Sequence, residues 1–163
     1  MHVISLQIHL KWLADDAERR AILAAQERMP LISVEMPLRA NLSVLDNIAL
    51  IPQYRHNLHY DAASALAWKL LLLAGQDGAA LKRDPQLNHV ERFVAKLLRA
   101  AIEHPPIILI DRPALLLPDT HYPPFLSDLL ERLSDHLNDC WILDYRWNEP
   151  LYPSPLPHPL APR

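Results

Sequence analysis

The chain has 163 residues, half of them hydrophobic and 21% charged, which is the composition of one globular domain and not of a disordered chain. A net charge of -3 argues against a nucleic-acid binder, and a single cysteine, Cys140, excludes an intramolecular disulfide and a CxxC metal site. Sixteen prolines accompany only two glycines, Gly75 and Gly78, so a glycine-rich phosphate cradle cannot form.

In chain order, residues 3–8 alternate (Val3, Ser5, Gln7 against Ile4, Leu6, Ile8) and predict a strand. This opening lacks the features of a signal peptide, and no window reaches the roughly 20 apolar residues of a membrane span, so the expected location is cytoplasmic. Residues 15–28 are rich in Ala, Glu, Arg and Leu and predict a helix that Pro30 ends. Residues 31–34 read as a short buried strand. Ser43 is placed as the N-cap of a helix running to about Leu50, closed by Pro52. The polar, His-rich stretch 53–60 reads as loop. Asp61 is then expected to cap a helix over 62–74 that stops at Gly75, with turns over 78–86.

The strongest helical pattern follows. Asn88 and Glu91 have capping-box spacing, and Val90, Phe93, Val94, Leu97, Leu98, Ala101 and Ile102 form one apolar face, stopped by Pro105 and Pro106. The run Ile107, Ile108, Leu109, Ile110 ends in Asp111 and suits a parallel strand buried on both faces. Pro124 fits the first turn of a helix with the stripe Leu126, Leu129, Leu130, Leu133 and Leu137. Trp141, Ile142 and Leu143 make another strand ending in an acid, Asp144. Six prolines over 150–163 predict an extended tail. Alternating strands and helices imply an α/β domain with a mostly parallel sheet over 1–149, a helical subdomain over about 53–103, and a Pro-rich tail over 150–163.

Two stretches carry a resemblance: residues 41–50 (NLSVLDNIAL) and the spacing from Leu87-Asn88-His89-Val90-Glu91 to Ile107-Ile108-Leu109-Ile110-Asp111-Arg112-Pro113. Over roughly residues 3–147 the chain resembles the ATP-binding subunit of an ABC transporter, and within that family the ATPases of bacterial phospholipid-transport (Mla-type, organic-solvent-resistance) systems. The resemblance implies a truncated P-loop-NTPase-like, three-layer domain. It also implies that the chain begins near the family's second strand, past the P-loop GxxxxGK[ST] whose backbone and Lys hold phosphates. The family's metal-contacting glutamine falls near Val34 or Glu35, its signature LSGGQ at Leu87–Glu91, its Walker B aspartate at Asp111, its catalytic glutamate at Arg112, the next loop's aspartate at Pro118 or Asp119, and its switch histidine at Asp144 or Tyr145. Asn88, His89, Val90 and Glu91 thus replace a phosphate-facing motif with side chains and a negative charge. Arg112 stays protonated and cannot act as general base. The resemblance with these departures implies a degenerate, non-catalytic protein with no cofactor and no resident metal.

Other patterns have plainer readings. His56, His59 and Asp61 have metal-ligand spacing but sit in a loop or cap. Ser127, Asp128 and His136 could form a triad, but Ser127 lies inside an amphipathic helix without a nucleophile elbow. Trp141, Tyr145, Trp147 and Tyr152 serve core packing or a contact patch. The expected role is a subunit or regulator of an ABC-type transporter, peripheral to the inner membrane at most. A permease or ATPase subunit would contact the region 53–86, with Trp68, Leu70 and Leu71 as partner-binding residues and Leu66 and Leu72 nearby, in a homo- or hetero-oligomer. The alternatives are a standalone binding or scaffold domain, and an active ATPase whose P-loop another chain supplies.

Overall fold

The computed structural model describes residues 6–26, 29–118 and 122–152. Its centre is a four-stranded, all-parallel sheet in the order β1-β4-β3-β2, built from β1 (Gln7–Leu13), β2 (Leu31–Ile32), β3 (Ile107–Asp111) and β4 (Asp139–Tyr145). The helices are α1 (Asp16–Ala25), α2 (Val44–His56), α3 (Tyr60–Leu73), α4 (His89–Ala101), α5 (Pro113–Leu116) and α6 (Tyr122–Arg132).

Period-two alternation divides the strand residues between two faces. Ile8, Leu10, Ile32, Ile108, Ile110, Cys140 and Ile142 face the larger core, where the apolar residues of α2, α3, α4 and α6 cover them. Leu13, Leu109 and Leu143 face a smaller cluster closed by Ile22 and Leu23 of α1. The domain is thus three-layered α/β with a parallel sheet, as the alternating pattern implies. The α4 stripe packs as expected: Phe93, Val94, Leu97, Leu98 and Ala101 are all buried.

Several boundaries differ from the sequence reading. The first strand runs on to Leu13 because both its faces are covered, while residues 1–5 lie outside the described residues. Helix α1 ends at Ala25, with Gln26 as its C-cap. Pro52 does not end α2; it is buried inside the helix, which continues to His56 and stops at Asn57 in the left-handed region (φ 52°). Packing of Ile48, Ala49 and Pro52 in the core outweighs the missing N–H. Residues 53–56 of the expected 53–60 loop are therefore helical, and Tyr60 already opens α3. Asp61 is not a cap: His59 occupies that position without a side-chain bond, and Asp61 lies in the first turn of α3. Gly75 takes φ 71° just past α3, the conformation glycine adopts most cheaply. Leu133 and Leu137 are buried but lie beyond α6, around a 3-10 turn over Ser134–His136. Packing continues past 149, through a 3-10 turn (Arg146–Leu151) to buried Tyr152, whose ring meets Trp12 edge-on at 4.8 Å. Asp119 and residues 153–163 lie outside the described residues.

Candidate functional site

Strand β3 delivers Asp111 to the C-terminal edge of the sheet, on the α1 face, with its carboxylate fully buried. Arg19 of α1 grips it with a bidentate fork, Nε to Oδ1 at 2.9 Å and Nη2 to Oδ2 at 2.7 Å. The Ser33 hydroxyl donates to Oδ2 at 2.7 Å. Arg112 adds Nε to Oδ1 at 3.1 Å and Nη2 to Oδ2 at 3.3 Å. Five donor contacts address a carboxylate that offers about four lone-pair positions. Glu35 joins the rim, accepting from Arg19 Nη2 at 2.9 Å and Arg112 Nη2 at 3.3 Å. Asp16 accepts from Arg19 Nη1 at 3.3 Å and from the Tyr145 hydroxyl at 3.0 Å.

Burial alone would favour protonated Asp111, but the hydrogen bonds from Arg19 and Ser33 and the charge of Arg112 outweigh it and hold its pKa below the ordinary aspartate value. The Asp111 bond raises the pKa of Arg19 beyond its already high value. Arg112 sits at φ 53° with its N–H bonded to the Leu143 carbonyl at 2.7 Å, an uncommon backbone for a non-glycine residue. The guanidinium of Arg112 lies 6.0 Å from the Tyr145 ring centre. Next door, Asp144 turns to the larger core and accepts from neutral donors: Tyr145 N–H and Asn148 Nδ2 at 2.8 Å each, the Tyr152 hydroxyl at 3.0 Å, and the Ala114 backbone N–H. Burial raises its pKa. Of the two positions considered for a switch histidine, Tyr145 is the one at the cluster.

The link between β1 and α1 also faces this edge. Its residues, Ala14 and Asp15, precede Asp16 and Glu18, so the α1 N-terminus carries three carboxylates. Asp15 accepts from Glu18 N–H at 2.9 Å, and Glu18 accepts from Ala14 N–H at 2.9 Å. Two N–H groups at this helix start are thus bonded to the chain's own acids, and the three carboxylates there oppose an incoming phosphate.

The expected signature positions lie elsewhere. Asn88 and Glu91 form a reciprocal capping box at 2.8 and 3.0 Å, and Lys82 Nζ binds the other Glu91 oxygen at 2.8 Å. The Lys82 bond, with the bond to the Asn88 backbone, holds the Glu91 pKa low. His89 and Val90 make up the first turn of α4 behind this cap. One residue further along α4 does reach the Asp111 cluster: buried Lys96 donates to the Ser33 carbonyl at 3.0 Å. Burial and the neighbouring Arg99 and Arg92 lower its pKa.

Of the expected partner-binding residues, Leu70 and Leu71 are core, 4% and 0% exposed, because they lie on the α3 face that packs on α2 and α4. Trp68 is exposed, with Leu66, Leu72 and Leu73 beside it. His56 pairs with Glu103 and not with His59 or Asp61, and among the described residues no three His, Cys, Asp or Glu side chains gather as a metal site. His136 lies against His104, with ring centres 6.3 Å apart. Burial pushes the Cys140 thiol up to about 12, which leaves it inert. Tyr145 stacks on exposed Trp147 at 4.0 Å, whereas Trp141 lies against His9, so the expected aromatic cluster is divided among three places.

Sequence reasoning singled out Asp111, Arg112, Glu35 and Tyr145 but missed Arg19, Ser33 and Asp16. Arg19 had a signal: it precedes Ile22 and Leu23 by three and four positions, an arginine on an apolar stripe. Ser33 had none.

A second feature is an open groove of about 1140 Å³ beside α2, the C-terminal part of α4 and the start of β3. Arg39, Arg55, Lys96 and Arg99 line it against a single acid, Glu103. Among the described residues, Arg39 and Arg55 have no carboxylate within salt-bridge distance, and Arg99 is shifted down by burial and by Arg39.

Comparison with solved structures decides the fold. The chain superposes on the ATP-binding cassette MJ0796, in a dimeric post-hydrolysis state bound to ADP and Pi and in a second dimeric structure described as a bacterial ABC transporter cassette. Each gives a TM-score of 0.59 at 23% identity. The chain has the fold of an ATP-binding cassette. The match covers 83% of this chain and 59% of MJ0796, so the cassette-like chain spans less than two thirds of that protein. No protein-family model and no curated protein sequence matches it. Among the described residues, no helix is long and apolar enough to cross a membrane.

Proposed function

We propose that this chain is a non-catalytic, cassette-like subunit or regulator of an ABC-type transporter, of the lipid or solvent-resistance type that residues 41–50 and 87–113 resemble, and that by itself it neither binds nor hydrolyses ATP. The observation that carries the proposal is the closure of Asp111. A Walker B carboxylate must face a nucleotide-bound magnesium ion; here its lone pairs are filled by Arg19, Ser33 and Arg112. A P-loop is a strand–loop–helix unit, and β1–α1 is a strand–turn–helix unit at the sheet edge facing Asp111. On this view β1–α1 takes the P-loop unit's place, a reading that differs from the expectation that the chain begins after it. Its acidic turn repels phosphate, and Arg19 spends its charge on Asp111. Arg112 holds the position of the general base and cannot accept a proton.

The cationic groove beside α2 favours an acidic segment of a permease or ATPase subunit as the docking partner. The test is a native pull-down of the tagged chain from its own membranes, with bound proteins identified by mass spectrometry. Co-recovery of a permease or an ATPase subunit, lost on reversing Arg39 and Arg55 to Glu, is the expected result. Recovery of the chain without any transporter component would contradict the transport role and leave a standalone binding domain.

A further inference from the structure

We propose that the outer face of α3 is a self-association surface, on which two copies of this chain pack helix against helix, antiparallel, about Ala65. Helix α3 is apolar almost all round, which is unusual for a helix with solvent on one side. Ala63, Ala67, Leu70 and Leu71 take up its inner face. On the outside remain Ala62, Ala65 and Leu66, then Trp68, Leu72 and Leu73, with Leu66 45%, Leu72 53% and Leu73 40% exposed.

Two charges interrupt this face, Asp61 and Lys69, and among the described residues neither has a salt-bridge partner. They stand eight positions apart, about 12 Å along the helix axis, too far to pair with each other. Ala65 lies midway between them. A second α3 turned antiparallel about Ala65 places Asp61 of each copy beside Lys69 of the other, so symmetry forms the pair twice. The same operation sets Trp68 of one copy against Ala62 of the other, large against small, and the Ala65 methyl groups at the axis allow close approach. The charge pattern is therefore self-complementary in the antiparallel orientation. In a parallel pair like charges would meet. The surface lies apart from the Asp111 cluster and the cationic groove, so this inference does not depend on the proposed transport role.

Sedimentation equilibrium of the full chain from about 1 to about 200 µM tests it. The wild type is expected to dimerise within that range. Lys69→Glu sets two like-charge contacts at the interface and should weaken the dimer on the order of tenfold or more. The double variant Asp61→Lys with Lys69→Glu re-forms both pairs and should restore dimerisation, while either protein keeps a native circular dichroism spectrum and melting curve. That rescue is an outcome which neither a folding defect nor general solubility produces. A wild type that stays monomeric throughout, as expected if a membrane or another protein covers this face, overturns the proposal. So does a dimer that ignores the reversal, or one that the double variant fails to rescue.

Discussion

Replacing Arg19 with Met tests the physical basis of the closed Asp111 site. The guanidinium makes two bonds to a carboxylate with no solvent exposure and supports Glu35 and Asp16 at the rim. Breaking a buried ion pair from one side costs about 3–5 kcal/mol, because the remaining charge is stranded. Ser33 and Arg112 still serve Asp111, so the expected loss is at the low end, about 3 kcal/mol. For a chain of this size that is a fall of about 6–12 °C in Tm. The pH dependence has a defined sign. The folded pKa of Asp111 lies below its ordinary value, so its contribution is full above the unfolded pKa and fades as pH falls through the folded one. The gap between wild type and Arg19→Met should therefore be widest near neutrality and narrow in acid. Adding Asp111→Leu to Arg19→Met should recover about half or more of the loss, because two apolar groups then replace the pair. Urea unfolding followed by tryptophan fluorescence at several pH values measures all three effects. A loss below about 1 kcal/mol, or a gap unchanged between pH 7 and about pH 2, beneath the ordinary aspartate range, would refute the idea that Arg19 neutralises a buried ionised Asp111.

Further outcomes follow from the packing and the caps. Asn88→Ala removes the cap bond to Glu91 and should cost about 1 kcal/mol in urea unfolding, whereas Asn88→Gly should cost only a few tenths. Leu71→Ala should cost about 2–5 kcal/mol, while Leu72→Ala one residue later should stay within about 0.5 kcal/mol, which separates the inner face of α3 from the outer. Cys140 should resist a thiol reagent at pH 8 in the folded chain and react fully in denaturant, because its thiol is buried and pushed up to about 12.

The elements whose patterns have one physical meaning were legible in the sequence. The α4 capping box and stripe, and the two apolar runs ending in Asp111 and Asp144, stand where periodicity puts them, because a fully buried strand and a one-sided helix leave unambiguous patterns. Helix α2 was cut short because Pro52 is a strong local stop that tertiary packing overrides. On α3 the sequence gives leucines on both faces, so apolarity alone could not tell buried Leu70 and Leu71 from exposed Leu72 and Leu73. At the site, Asp111 and Arg112 came from one short motif. Arg19 and Ser33 lie 92 and 78 positions from Asp111, and only the parallel sheet brings them together. Arg19 was visible only as a charge on an apolar stripe, a signal for a buried partner that does not name it.

The central claim is that Asp111, proposed above as a Walker B carboxylate, is closed to nucleotide-bound magnesium. An isothermal titration of the full chain with Mg-ATP, carried to millimolar concentration, tests it most directly. No saturable heat, with no ATP-dependent rise in Tm, is the predicted result. Saturable binding with a Kd in the micromolar range, on the order of -8 kcal/mol, would show that Asp111 opens to the ion despite Arg19, and would contradict the account.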